Sequence, residues 1–226
     1  MTSPPSHVMF DLDGTLMDSS PGIVHCFQLT LAEWGREAPL EQLRTLIGPP
    51  LRHSFHLLGY ADEDLDEVVE CYRGFYATVG LREAELYDGV SSTLAALRSR
   101  GVRLGVATAK RDDFAREMLR DRRVDDLFDE IAGASMDLRV TDKADIMAHV
   151  LTAWDNPPPR SVWMVGDRAF DMVGARHHGV VGVGVLWGFG DADELRAAGA
   201  DRLITRVEQL LDESVGEPTT MDFRGA

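Results

Sequence analysis

The chain has 226 residues, enough for one full-sized domain with an insertion or for two small domains. Its hydrophobic fraction of 44% and charged fraction of 27% are those of a soluble globular protein, which excludes collagenous, disordered and small disulfide-stapled classes. With 23 Lys+Arg against 38 Asp+Glu the net charge is −15, so neither nucleic acid nor an anionic membrane surface is an expected partner.

Residues 1–7 carry neither a basic region nor an apolar signal core, and the longest charge-free apolar run, 180–190, falls far short of the ~20 residues of a spanning helix. A cytoplasmic location without membrane attachment is expected. Residues 8–10 form a short apolar run that stops at Asp11, as a buried parallel strand does. Asp11-Leu12-Asp13-Gly14-Thr15-Leu16 follows. Side chains two apart on a strand point the same way, so Asp11 and Asp13 can face one site. Carboxylates that close repel, which predicts either a bound metal or a shared proton. Gly14 permits a sharp exit, and the Thr15 hydroxyl can fix a neighbouring carboxylate or cap the turn. An ordinary Asp-Gly turn accounts for the segment about as well.

Residues 17–88 contain no good strand run. Helices are predicted over 21–34, 40–46, 51–58 and 62–79, punctuated by Gly48-Pro49-Pro50 and Gly59-Tyr60, and an inserted helical subdomain is the simplest account. This block holds 13 acidic and 5 basic residues, and three of the five, Arg36, Arg44 and Arg52, fall within 36–52. That segment is expected to face an anionic substrate while the acids of 62–70 face solvent. Arg52 is the candidate contact, with a surface arginine covering apolar area as the equal alternative. His53 and His56 lie one helical turn apart without a third ligand and read as packing.

From residue 91 onward the pattern is regular: a helix over 91–100, a strand over 102–107 ending at Thr108, helices over 112–122 and 143–154, a strand over 162–166 ending at Asp167, and a helix over 169–178. Strands alternating with helices predict an α/β fold, a parallel sheet with helices on both faces. Ligands bind such sheets at the carboxyl ends of the strands, so Asp11, Thr108 and Asp167 should gather at one edge. A hydroxyl beside free N–H groups at a helix start suits a phosphate oxygen at Thr108. Only Lys110 and Lys143 among the 23 basic residues are lysine. Lys143 follows Thr141-Asp142 and opens a helix, where a cation is mildly unfavourable and needs another reason to be present. Asp171 lies one helical turn after Asp167, so the two can share a site, and all-oxygen carboxylate ligation suits Mg²⁺; an acidic helix start that suits the dipole is the alternative. Gly182, Gly184, Gly188 and Gly190 read as a late strand and turn rather than a dinucleotide loop. Cys26 and Cys71 lack metal-ligand spacing and read as reduced thiols, and 214–226 reads as a frayed tail.

Together these segments resemble the haloacid dehalogenase-like superfamily of phosphohydrolases. Asp11-Leu12-Asp13-Gly14-Thr15-Leu16 looks like its first motif, Thr108 its second, Lys143 its third, and Gly166-Asp167-Arg168-Ala169-Phe170-Asp171 its fourth. Asp18-Ser19, Ile47-Gly48-Pro49-Pro50-Leu51-Arg52 and Tyr87-Asp88-Gly89-Val90 are similar to the phosphoglycolate phosphatase-like branch, which also contains nucleotidases and pyrophosphatases. The resemblance implies a Rossmann-like core over 1–16 and 89–213, a helical cap over 17–88 and a flexible tail over 214–226. It further implies a Mg²⁺-dependent phosphatase of a small phosphorylated metabolite, monomeric or homodimeric. Asp11 would be the nucleophile that forms an aspartyl-phosphate, and Asp13 the acid and then the base. Mg²⁺ would be held by Asp11, the Asp13 carbonyl and Asp167, with Asp171 ordering its waters. Thr108, Lys143 and the N–H groups that follow Asp11, beginning at Leu12, would hold the phosphoryl oxygens. Ala109, a further phosphate-contact position, departs from the pattern, since Ser or Asn is frequent there. A sugar-phosphate mutase of the same superfamily and a phospho-accepting signalling module are the competing expectations.

Overall fold

A computed structural model of the chain describes residues 4–48, 51–135, 140 and 142–212. Pro49, Pro50, Thr141 and the tail expected over 214–226 lie outside the described residues. In chain order the first elements are β1 His7–Phe10, β2 Met17–Asp18, α1 Ser20–Glu33, α2 Leu40–Arg44, α3 Leu51–Leu57 and α4 Leu65–Thr78. They are followed by β3 Glu85–Leu86, α5 Val90–Ser99, β4 Arg103–Arg111, α6 Asp112–Asp121, β5 Glu130–Ala134 and α7 Lys143–Ala153. The last are β6 Val162–Gly166, α8 Ala169–His178, β7 Val181–Val185, α9 Ala192–Ala198 and β8 Arg202–Ile204.

Six strands form one parallel sheet in the order β5-β4-β1-β6-β7-β8, so the first strand of the chain lies near its middle. Along β1, Val8 and Phe10 pack on one face, and Met9 packs on the other with Met147, Val150, Trp154 and Met164. Successive side chains of a strand alternate between faces, and with both faces covered the strand must be apolar throughout. This is why Val8-Met9-Phe10 is an unbroken run. Register then sets the site: Phe10 lies opposite Val106 of β4 and Val165 of β6. The residues just beyond these three leave the sheet at one level.

Two strand expectations need revision. β4 does not end at Thr108 but runs on to Arg111 through a register shift against β5 between Ala107 and Arg111. Thr108 therefore sits in an irregular strand segment, not at a helix start. β5 and β8, which border the apolar strands, carry Glu130 and Arg202 and gave no apolar run to read.

The helices α1 to α4 form the predicted insertion, entered and left through an antiparallel pair in which Met17 faces Leu86 and Asp18 faces Glu85. Its core is aromatic, with Phe27 centred 5.3 Å from Phe55 and 4.9 Å from Tyr72. Arg122, at the end of α6, donates to the carbonyls of Arg82 and Ala84 and ties the return path to the sheet domain. Among the described residues no helix is long and apolar enough to cross a membrane. Phe27→Ala removes the ring shared by these contacts, and chemical denaturation should show a loss of about 3–5 kcal/mol; a loss below 1 kcal/mol would mean that this cluster does not hold the insertion together.

Candidate active site

Asp11 follows β1, and its N–H donates to the Val165 carbonyl at 2.9 Å, which seats it beside the end of β6. Asp167 follows β6 and is fully buried. The Thr15 hydroxyl donates to Asp167 Oδ1 at 3.0 Å, so the carboxylate that Thr15 fixes is one 152 residues away. The Phe189 N–H donates to Asp167 Oδ2 at 2.8 Å, and the Trp187 indole N–H donates to the Thr15 carbonyl at 3.0 Å. These two contacts were not anticipated. Their signal was the glycine pair read as a plain turn: a Cβ at Gly188 would collide with the Asp167 side chain and the Gly14 carbonyl, and one at Gly190 with the Asp167 carbonyl. Only glycine lets this loop close over the carboxylate.

Lys143 shows why a cation opens α7. Asp142 caps the helix by accepting from the Ala144 N–H at 2.8 Å. The Lys143 ammonium lies 2.9 Å from Asp11 Oδ1 and 2.8 Å from Asp171 Oδ1, and it donates to the Ala107 carbonyl at 2.9 Å. One ammonium thus joins β1, β4, α7 and α8. Asp171 uses its second oxygen to accept from the Arg168 N–H at 3.0 Å. Glu194 of α9 accepts from both Arg168 Nε and the Ala169 N–H at 2.8 Å and braces the start of α8.

Thr108 is buried, with its Oγ1 accepting from the Lys110 N–H at 3.2 Å, while Ala109 beside it is exposed. The Leu12 side chain is fully buried, and its carbonyl accepts from the N–H groups of Thr15, Leu16 and Met17, which folds this segment into a tight loop. Asp13 pairs with Lys110, Oδ2 to Nζ at 2.9 Å.

Arg52 is placed otherwise than expected. It pairs with Asp66 of α4, its side chain half exposed, while Asp66 and most acids of 62–70 face solvent as expected. Arg44 pairs with Glu41, and Arg36 lies 4.2 Å over the Tyr60 ring while donating to the Leu58 and Gly59 carbonyls. Each arginine serves a local contact within the insertion.

Oxygens of Asp11, Asp167 and Asp171 lie within 4.8 Å of one another. Burial, and then the charges of Asp11 and Asp171, push Asp167 up to about 7 against the two hydrogen bonds that favour its ionised form. Burial also raises Asp171, against the pull of Lys143. For Lys143, burial would lower the pKa, but Asp11 and Asp171 outweigh it and hold it above the ordinary lysine value. Four carboxylates, with Asp13, thus face two ammoniums. The deficit of two positive charges and the all-oxygen donor set fit a hard divalent cation.

Residues 8–185 match the haloacid dehalogenase-like hydrolase family. The chain is 43% identical over 190 residues to the tyrosine-protein kinase PtkA of Mycobacterium tuberculosis, an alignment covering 84% of this chain but 65% of the kinase. It therefore spans about two thirds of the length of that relative. It is 39% identical over 193 residues to a 5'-nucleotidase of Pseudomonas aeruginosa, covering 84% of this chain and 87% of that one. Among solved structures, a haloacid dehalogenase-like family hydrolase from Streptococcus pneumoniae superimposes with a TM-score of 0.85 at 32% identity, over 92% of this chain and 97% of that one.

The raised Asp167 has a measurable sign. The folded chain keeps this proton up to about pH 7, whereas the unfolded chain releases it near the ordinary aspartate value of 3.8. Between those values the metal-free protein loses stability as pH rises. Thermal melts should show Mg²⁺ raising Tm by several degrees at pH 8 and by less at pH 5. Asp167→Asn should raise the metal-free Tm at pH 8 and abolish the Mg²⁺ response; an equal Mg²⁺ effect at both pH values contradicts the assignment.

Proposed function

Since the chain belongs to the haloacid dehalogenase-like hydrolase family, we propose that it is a Mg²⁺-dependent phosphatase of a small phosphorylated metabolite, either a phosphoglycolate-like phosphomonoester or a nucleoside monophosphate. The observation that carries this reading is Asp11 held against the Lys143 ammonium at 2.9 Å, with Asp13 two residues on and Asp167 alongside. The nucleotide arm draws on the likeness to the Pseudomonas 5'-nucleotidase. Residues 1–16 and 89–213 act as the core and 17–88 as the cap. The protein would work in the cytoplasm, where Cys26 and Cys71, both free, stay reduced.

In this mechanism Asp11 attacks phosphorus and becomes an aspartyl-phosphate, while the departing alkoxide takes a proton from Asp13. Asp13 then accepts a proton from the water that hydrolyses the acyl phosphate, which restores both carboxyl groups. Lys143, the Thr108 hydroxyl and the backbone N–H groups of Leu12 and Ala109 hold the phosphoryl oxygens. Asp171 keeps Lys143 aimed at that position. Magnesium, held by the Asp11 and Asp167 carboxylates and the Asp13 carbonyl with Asp171 nearby, would neutralise phosphoryl charge when bound. Such positioning and charge neutralisation supply most of the catalysis in phosphoryl transfer.

Continuous phosphate release from 4-nitrophenyl phosphate and from a panel of metabolite phosphates with Mg²⁺ tests the reading. Asp11→Asn should lower the rate roughly 1000-fold or more, and Arg52→Ala should leave kcat/KM within about twofold of wild type, since a surface ion pair contributes little. Stoichiometric rather than continuous release would instead assign a phospho-accepting module. Return of the phosphoryl group to a second sugar hydroxyl would assign a mutase, and its transfer from ATP to tyrosine without release to water would assign a kinase.

A further inference from the structure

Lys110 takes no part in the steps above, yet its side chain is only 8% exposed and lies between the two halves of the molecule. Its ammonium is 2.9 Å from Asp13 Oδ2 and donates to the Tyr76 hydroxyl of α4 at 2.6 Å, 4.4 Å from the centre of the same ring. The irregular stretch of β4 between Ala107 and Arg111 carries Lys110, and strand irregularities of this kind re-aim a side chain. Tyr76 is itself confined: it stacks on Tyr72, and its ring lies so close to Gly80 that a Cβ there would collide with it. The other oxygen of Asp13, Oδ1, is shielded from solvent and has no hydrogen-bond partner among the described residues.

A buried ion pair is weak support for stability, because desolvating both groups offsets much of their attraction. Its effect here is geometric. With Oδ2 anchored on Lys110 and Oδ1 enclosed by the protein, the carboxyl group of Asp13 cannot rotate freely.

We propose that Lys110, itself held by Tyr76, is the positioning residue for Asp13: it holds the Asp13 carboxyl group in the one orientation that meets the leaving oxygen, and so makes proton transfer depend on contact between α4 and the sheet edge. This rests on the phosphatase reading above. Proton delivery matters in proportion to the basicity of the leaving group, and a positioned acid contributes typically 10²–10⁴-fold. A general loss of folding or of phosphate binding would lower all rates alike.

The experiment is kcat/KM with Mg²⁺ across aryl phosphates from 2,4-dinitrophenyl to phenyl phosphate, for wild type, Lys110→Met and Tyr76→Phe. Lys110→Met should lose less than threefold on the dinitrophenyl ester and about 100-fold on phenyl phosphate, steepening the dependence on leaving-group basicity. Tyr76→Phe, which keeps the ring and removes the hydroxyl, should steepen it in the same direction by a smaller factor. If Lys110→Met does not fold, the slope of Tyr76→Phe alone decides. A uniform loss, or unchanged slopes in both variants, overturns the assignment of Lys110 while leaving the phosphatase reading intact. Wild type that releases no phosphate from any ester of the series overturns the phosphatase reading itself.

Discussion

The structure depends on one ammonium group. Lys143 of α7 lies within 2.9 Å of Asp11, Asp171 and the Ala107 carbonyl, groups that come from the end of β1, α8 and β4. Without it three buried carboxylates would face one another with no cation of the chain between them. Burying charge is tolerable only when it is paired and hydrogen-bonded, so the position of α7 relative to the sheet edge is fixed by electrostatics as much as by packing. The remaining imbalance collects on Asp167, whose own partners are the neutral donors Thr15 and Phe189. The site is thus neutralised in part by the chain and left short of positive charge beside Asp167.

Most of this was legible because the parallel sheet imposes a simple rule. Strands buried on both faces must be apolar, so the polar residue that ends each run marks the sheet edge, and Asp11 and Asp167 stood out in that way. The two lysines stood out because arginine serves everywhere else. A planar guanidinium is larger and more spread than the point charge that Asp11 and Asp171 share. The net charge of −15 excluded polyanionic partners, yet it said nothing about the local field, which is set by the buried lysines.

What escaped the sequence was determined by tertiary contacts. Thr108 was placed at a helix start because the apolar run of β4 ends there, whereas pairing with β5 carries the strand three residues further. Asp171 read as a metal ligand from its spacing to Asp167, and nothing in that spacing told that Lys143 would occupy one of its oxygens. Arg52 illustrates the opposite error: charge clustering along a segment suggested a direction, but Asp66 on a neighbouring helix claimed the guanidinium. The loop over Asp167 was encoded in Gly188 and Gly190, and glycines show only that something comes close, not what.

The place of β1 has a consequence for how the molecule comes into being. His7 pairs with Arg103 on one side and with Val162 on the other, so β1 finds its neighbours only after the much later strands β4 and β6 have been synthesised. Contacts so distant along the chain slow folding, since a large loop must close before they repay its entropy. Until then Asp11 has neither Lys143 nor Asp167 beside it. The nascent chain therefore keeps these charged groups apart in water, and they come to share one buried site only in a molecule whose sheet is fully assembled.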